Sequence, residues 1–153
     1  MGVLFIMEKY RVTDEILDIY NHTMHRIQAL IDIPRHNVCA GDLGGWIEDC
    51  SNLSSRGDAW VANDVMVFEN ATVSDNAIVS GFSQVCGNAK ISGNAQVYDL
   101  ACICGSASIC DNAKVHGLAL VFDYSRVLGN SDVDGFAKLF GTETIFGNAH
   151  VSD

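Results

Sequence analysis

Between residues 57 and 152 a branched aliphatic residue returns at every sixth position, from Val61, Val67 and Val73 to Leu139, Ile145 and Val151, with no gap or insertion. The stretch divides into sixteen six-residue units, the first 57–62 and the last 147–152. The third residue of a unit is Ala, Ser or Val in fifteen of the sixteen, Glu143 being the exception, and the first is always Gly, Asp, Asn or Glu. A period of six matches neither the 3.6 of an amphipathic helix nor the simple alternation of a strand. It fits a short strand followed by a corner. Positions three and five then share one interior, and Gly, Asn or Asp at positions one and two give the backbone the freedom of a tight turn.

Three units per coil predict ladders eighteen residues apart, and one runs Asp58, Asn76, Asn94, Asn112, Asn130, Asn148. A second, Phe82, Leu100, Leu118, Phe136, has the same spacing and falls on a different side. The predicted fold is all-β, a single-stranded parallel β-helix of triangular cross-section with 18 residues per coil. At the usual inter-strand spacing its coils make a rod about 25 Å long. Burying the aliphatic residues at roughly 1.5–3 kcal/mol each gives tens of kcal/mol, most of it offset by chain entropy. That is enough for one domain. Whether the Phe82 ladder lies inside or outside its corner is open at this level.

Residues 1–56 lack the repeat and are expected to form an N-terminal β cap and its junction to the β-helix of 57–153. Segments 9–12 and 16–20 read as strands, 21–23 as a turn and 25–33 as a further strand, where Ile27, Ala29, Ile31 and Ile33 alternate with Arg26, Gln28, Leu30 and Asp32. A helix from Asp14 to Ile31 capped by Thr13 is the competing assignment. Either element would cover the edge of the first coil, and Pro34 ends the cap. In the junction, Gly44-Gly45 is expected to turn the chain sharply while Trp46, Ile47 and Leu53 fill the bottom of the prism. It is not a phosphate loop, because no Lys-Ser/Thr follows and there is no G-x-G-x-x-G.

The 153 residues carry a net charge of −10, which disfavours nucleic-acid backbones and anionic membranes as partners. No stretch is long and apolar enough to span a membrane, and the segment 1–7 is too short and uncharged for a secretory signal. A cytoplasmic protein is expected, with Met7 an alternative start. The six cysteines show no C-x-x-C spacing and are expected to be reduced.

The aliphatic residue followed four places later by a small one resembles the hexapeptide repeat of left-handed parallel β-helices, whose common Gly falls one place earlier than here. More specifically, Lys9-Tyr10-Arg11, Arg26-Ile27-Gln28-Ala29-Leu30, Ala40-Gly41-Asp42-Leu43-Gly44-Gly45-Trp46-Ile47-Glu48 and Asn52-Leu53-Ser54, followed by Gly-Asn-Ala units, resemble the YdcK-like group of bacterial and prophage proteins over nearly the whole chain. The resemblance implies a left-handed coil and carries an acyltransferase label inferred from fold, which does not fix function. Hexapeptide acyltransferases use a catalytic His at a trimer interface and a long loop between coils. Here the units run without an insertion to build such a loop.

Chemistry would have to sit on a flat face. On the first face the ladder arithmetic gathers Tyr98, Lys114, His116, Asp132, Asp134 and His150, with His116 between Tyr98 and Asp134 in one column. His116 beside Asp134, with Tyr98, is the candidate catalytic set; Lys114, Asp132 and His150 are candidate binding residues. Two His and two Asp also have the ligand types for a divalent metal. The ordinary reading is a polar face that keeps the rod in solution, and no cofactor or metal is expected. The second face instead shows an apolar stripe: Met66, Gln84, Cys102, Leu120 and Lys138 in one outward column, Phe68, Cys86, Cys104, Phe122 and Phe140 in the next. The N-terminal segment or another subunit should cover it. Phe68, Cys86, Cys102, Cys104, Leu120, Phe122 and Phe140 are the candidate interface, joined by Glu143 if the last coil pairs tail to tail about a two-fold axis.

The favoured reading is a non-catalytic homo-oligomeric scaffold or binding module, a dimer or trimer, of phage or prophage origin. One alternative is a phage accessory protein that sequesters a host protein or a small nucleotide, including as an acidic nucleic-acid mimic. The other is a hexapeptide-type acyltransferase using His116.

Overall fold

The computed structural model describes residues 8–153, so the segment carrying the alternative start lies outside the described residues. Every repeat unit contributes one short strand, from Trp60–Val61 to His150–Ser152, and three parallel sheets result. Registers advance by one coil everywhere: Gln96 pairs with Lys114 on the first face, Cys102 with Leu120 on the second and Ser108 with Arg126 on the third. The expected all-β solenoid of 18 residues per turn is present. No helix among the described residues is long and apolar enough to cross a membrane.

All sixteen first positions have positive φ, including the non-glycines Asn63, Glu69, Asp75, Asp99, Asp111 and Asp123, whereas no second position does. Only one residue per corner therefore bends the chain into the left-handed region. The turn is closed by the N–H of position three donating to the carbonyl of position six of the preceding unit, as from Ala77 to Ser74 at 3.2 Å. Position five points inward and is fully buried through most of the rod, becoming half-buried only at Ile145 and Val151. Glu143, the interior exception, is exposed in that last coil.

The cap is a hairpin rather than a helix. β1 (Tyr10–Ile19) and β2 (His22–Ala29) are antiparallel, joined by Tyr20 and Asn21 at φ 53° and 62°, the two left-handed residues of a tight hairpin turn. The two strands expected over 9–20 are one strand with a register break between Val12 and Ile16, and the turn falls earlier than expected. β3 (Leu43–Ile47) pairs antiparallel with β2 and parallel with Met66–Val67, so the hairpin extends the second face past the first coil. Strands win over the helix because β2 gains a partner on both sides, β1 and β3, which a helix there would forgo.

Two expectations about the junction are corrected. Gly44 and Gly45 lie inside β3, not at a turn. Their use is close approach: a Cβ on Gly44 would come within 2.7 Å of Ile27, Trp60 and the Val61 carbonyl. Trp46 faces outward with the Arg26 guanidinium 5.3 Å above its ring, because alternation along β3 puts Ile47 inside. Trp60 is buried in its place, in the same core as Ile27, Ile33 and Val38.

Candidate functional site

The first face brings its six candidate residues to adjoining lattice points. Asp132 and Asp134 are two apart on the strand Asp132–Asp134 and so share its outer side, while His116 comes from the coil before and His150 from the coil after. His116 Nε2 is 2.7 Å from Asp132 Oδ1 and 3.9 Å from Asp134 Oδ2. His150 Nε2 is 3.1 Å from Asp134 Oδ1. The Tyr98 ring stacks on His116 at 4.5 Å between centroids and 6° between planes, which fixes the imidazole's orientation. Lys114 pairs in backbone register with Asp132, yet makes no ion pair within 4.0 Å among the described residues. The acid turns to the imidazole instead.

Asp134 is held below the usual carboxylate range, first by the Ser152 side chain and then by His150. The Tyr98 hydroxyl is pushed up by burial and, after that, by the negative charge of Asp132, Asp99 and Asp134. Both shifts favour the forms already present at neutral pH. Two residues of this neighbourhood add to the candidates expected from the sequence. Asp99, a corner residue, holds Oδ2 3.7 Å from His116 Nδ1 while accepting a hydrogen bond from the Gly117 N–H at 3.1 Å. Its position in a turn hid it; its column neighbour Gly117, which directly follows His116 in the chain, was the available signal. Ser152 stands in the same column as His116 and Asp134, so the spacing places it there, but an uncharged hydroxyl at the end of the rod carries no signal of its own.

The cluster lies on a flat strand surface. Two concavities lie elsewhere: one lined by Lys9, Arg11, Leu53, Arg56 and Thr72, the other by His36, Asp42, Trp60 and Ile78. Neither concavity is lined by His116 or its carboxylate partners.

On the second face the stripe is divided. Phe68 is only 5 % exposed, because Tyr20 and His22 of the hairpin lie 6.3 and 5.1 Å from its ring. The cap thus covers the first coil of the stripe. Above it Cys86 and Cys104 form a disulfide, where reduced thiols were expected; equivalent positions one coil apart have a Cα separation of 4.8 Å, within disulfide reach. Cys102 Sγ is 3.6 Å from Cys104 Sγ. Farther along, the rings of Phe122 and Phe140 stack at 5.9 Å. The corner ladder that precedes this face points outward: Phe82 is 65 % exposed, Leu100 53 %, Leu118 43 % and Phe136 66 %. Leu118, Leu120 and Phe122 are therefore successive outward side chains of one coil, with Phe136 and Phe140 in the next.

Comparison of the chain with protein-family models and with curated proteins returned no match.

Proposed function

We propose that this protein is a binding module that works as a homo-oligomer, with the apolar corner and second face as its assembly surface. The observation that carries this reading is the outward ladder Phe82, Leu100, Leu118 and Phe136, continuous with Leu120, Phe122 and Phe140. Large apolar side chains stacked over four coils lose contact with water only if another surface meets them, and such patches mark interaction sites on soluble proteins. A second copy supplies a matching ladder at the same coil spacing, so a two-fold or three-fold arrangement can pair like with like. The scaffold reading is also favoured over an acyltransferase by the engagement of His116, whose Nε2 is held by Asp132 on the outer side of a strand. The resemblance to hexapeptide-repeat proteins and a phage or prophage source fit this role and add no substrate to it.

Light scattering tests it. The intact chain should run as a dimer or trimer, and Leu118→Glu with Phe136→Glu should convert it to monomer while circular dichroism stays unchanged. Both side chains are exposed, so the fold tolerates the charges. An intact chain that is monomeric throughout its soluble range would overturn the proposal, as would an oligomer indifferent to the charges.

A further inference from the structure

We infer that His116, Asp132, Asp134 and His150 form a binding site for one divalent transition-metal ion, of which zinc suits the donor set best. This is independent of self-association.

The donors fit such an ion in type, spacing and support. One ligand atom each from His116, Asp132 and Asp134 lies within 4.8 Å of the others. Ligand atoms bound tetrahedrally to zinc at about 2.0–2.2 Å stand about 3.5 Å from one another. The 2.7 and 3.9 Å separations of His116 Nε2 from the two carboxylates bracket that value. His150, 3.1 Å from the far oxygen of Asp134, is placed to supply the fourth ligand by a rotation of its exposed side chain. Imidazole nitrogen with carboxylate oxygen suits zinc and its neighbours better than calcium or magnesium, which favour all-oxygen shells.

The surroundings of His116 resemble what a metal-binding histidine needs. Its ring is clamped against Tyr98, and its other nitrogen faces Asp99, a carboxylate itself fixed by the Gly117 N–H. With a metal on Nε2 the neutral ring carries its proton on Nδ1, facing Asp99, the outer carboxylate that orients and strengthens such ligands. Simple charge pairing explains the cluster less well. Lys114 stands one coil from Asp132 in the same column, yet the carboxylate goes to an imidazole.

The test is a titration of the intact chain with zinc, after chelator treatment and with the free thiols of Cys39, Cys50, Cys102 and Cys110 alkylated. A chromophoric chelator competes for the metal. One equivalent should bind with Kd on the order of micromolar or tighter. His116→Gln and Asp134→Asn should each weaken binding by tenfold or more, and Asp99→Asn, a positioning change, by about tenfold. Calcium at the same concentration should not compete. Circular dichroism of each variant separates loss of ligand from loss of fold. Two results would overturn the site: no saturable binding by the wild-type chain, or binding that survives both ligand substitutions in folded protein.

Discussion

Lys9 is a buried cation, 2 % exposed, that spans from the cap to the first coil. Its ammonium donates to the carbonyls of Ala59 at 2.7 Å and Gly57 at 3.4 Å, groups at the start of the solenoid. Burial lowers its pKa from 10.5 to about 8, with Asp58 opposing. Below pH 8 it is charged in both folded and unfolded states; above, the folded state releases a proton that the unfolded state keeps until about 10.5. Stability from this group therefore rises with pH across that window. The Cys102 and Cys110 thiols and the Tyr10 hydroxyl, all pushed up by burial, act in the opposite sense above their ordinary values. The clean interval is pH 8 to 9, where urea unfolding should show a gain of about 1 kcal/mol. Lys9→Met should flatten it; a slope that persists in the variant would assign the effect elsewhere. The sequence marked Lys9 as part of a motif, but not as buried, because its acceptors are about fifty residues away.

Within a coil, the corner is the element that decides tolerance to substitution. The three corner columns read Gly57, Asp75, Gly93, Asp111, Gly129, Gly147; Asn63, Gly81, Asp99, Gly117, Gly135; and Glu69, Gly87, Gly105, Asp123, Gly141. Two side chains never stand in succession. A corner Cβ projects over the backbone of the next coil, and each of the four Asp uses this by accepting the N–H of the Gly above, as Asp111 does from Gly129 at 2.9 Å. Gly105→Ala breaks the rule: its φ is +67° and the new Cβ would lie 2.6 Å from the Asp123 nitrogen. It should cost about 2 kcal/mol or more, the left-handed penalty plus the overlap. Gly141→Ala, with φ +65° and nothing within 4 Å, should cost only the first, about 1 kcal/mol. Equal losses in chemical denaturation would show that stacking does not matter. The Asn ladder on another side of these corners is joined by its own amides, at 3.2 Å from Asn94 to Asn112 and again from Asn112 to Asn130. The repeat made that ladder legible directly, whereas the alternation of glycine and acid emerged only when the corners were stacked.

The molecule as a whole sets acidic charge against an apolar stripe. With a net charge of −10, copies repel one another while the Phe82 to Phe136 corner and the second face favour contact. Raising salt from about 0.1 M to about 1 M shortens the Debye length from about 10 Å to about 3 Å, which removes repulsion but not burial. The oligomeric fraction in light scattering should therefore rise with salt. A fall would mean that ion pairs, not the apolar stripe, hold the copies together. The cap limits where contact can occur, since the hairpin already occupies Phe68.

A strict period fixes neighbours by arithmetic. Knowing that residues 96, 114 and 132 stack determined the three faces, the apolar columns and the gathering of His116, Asp132, Asp134 and His150 before any coordinates. Tertiary structure decided what arithmetic does not reach. The non-repeating cap determined that Trp60 is fully buried while Trp46 is only half-buried under Arg26, and that Phe68 is removed from the stripe. Backbone direction at the corners determined that the Phe82 ladder faces solvent and that Asp99 reaches His116. Coil spacing brought Cys86 and Cys104 within bonding distance. The sequence specified which residues share a column; which side chains turn toward each other, and what lies over them, depended on rotamers and on segments distant along the chain.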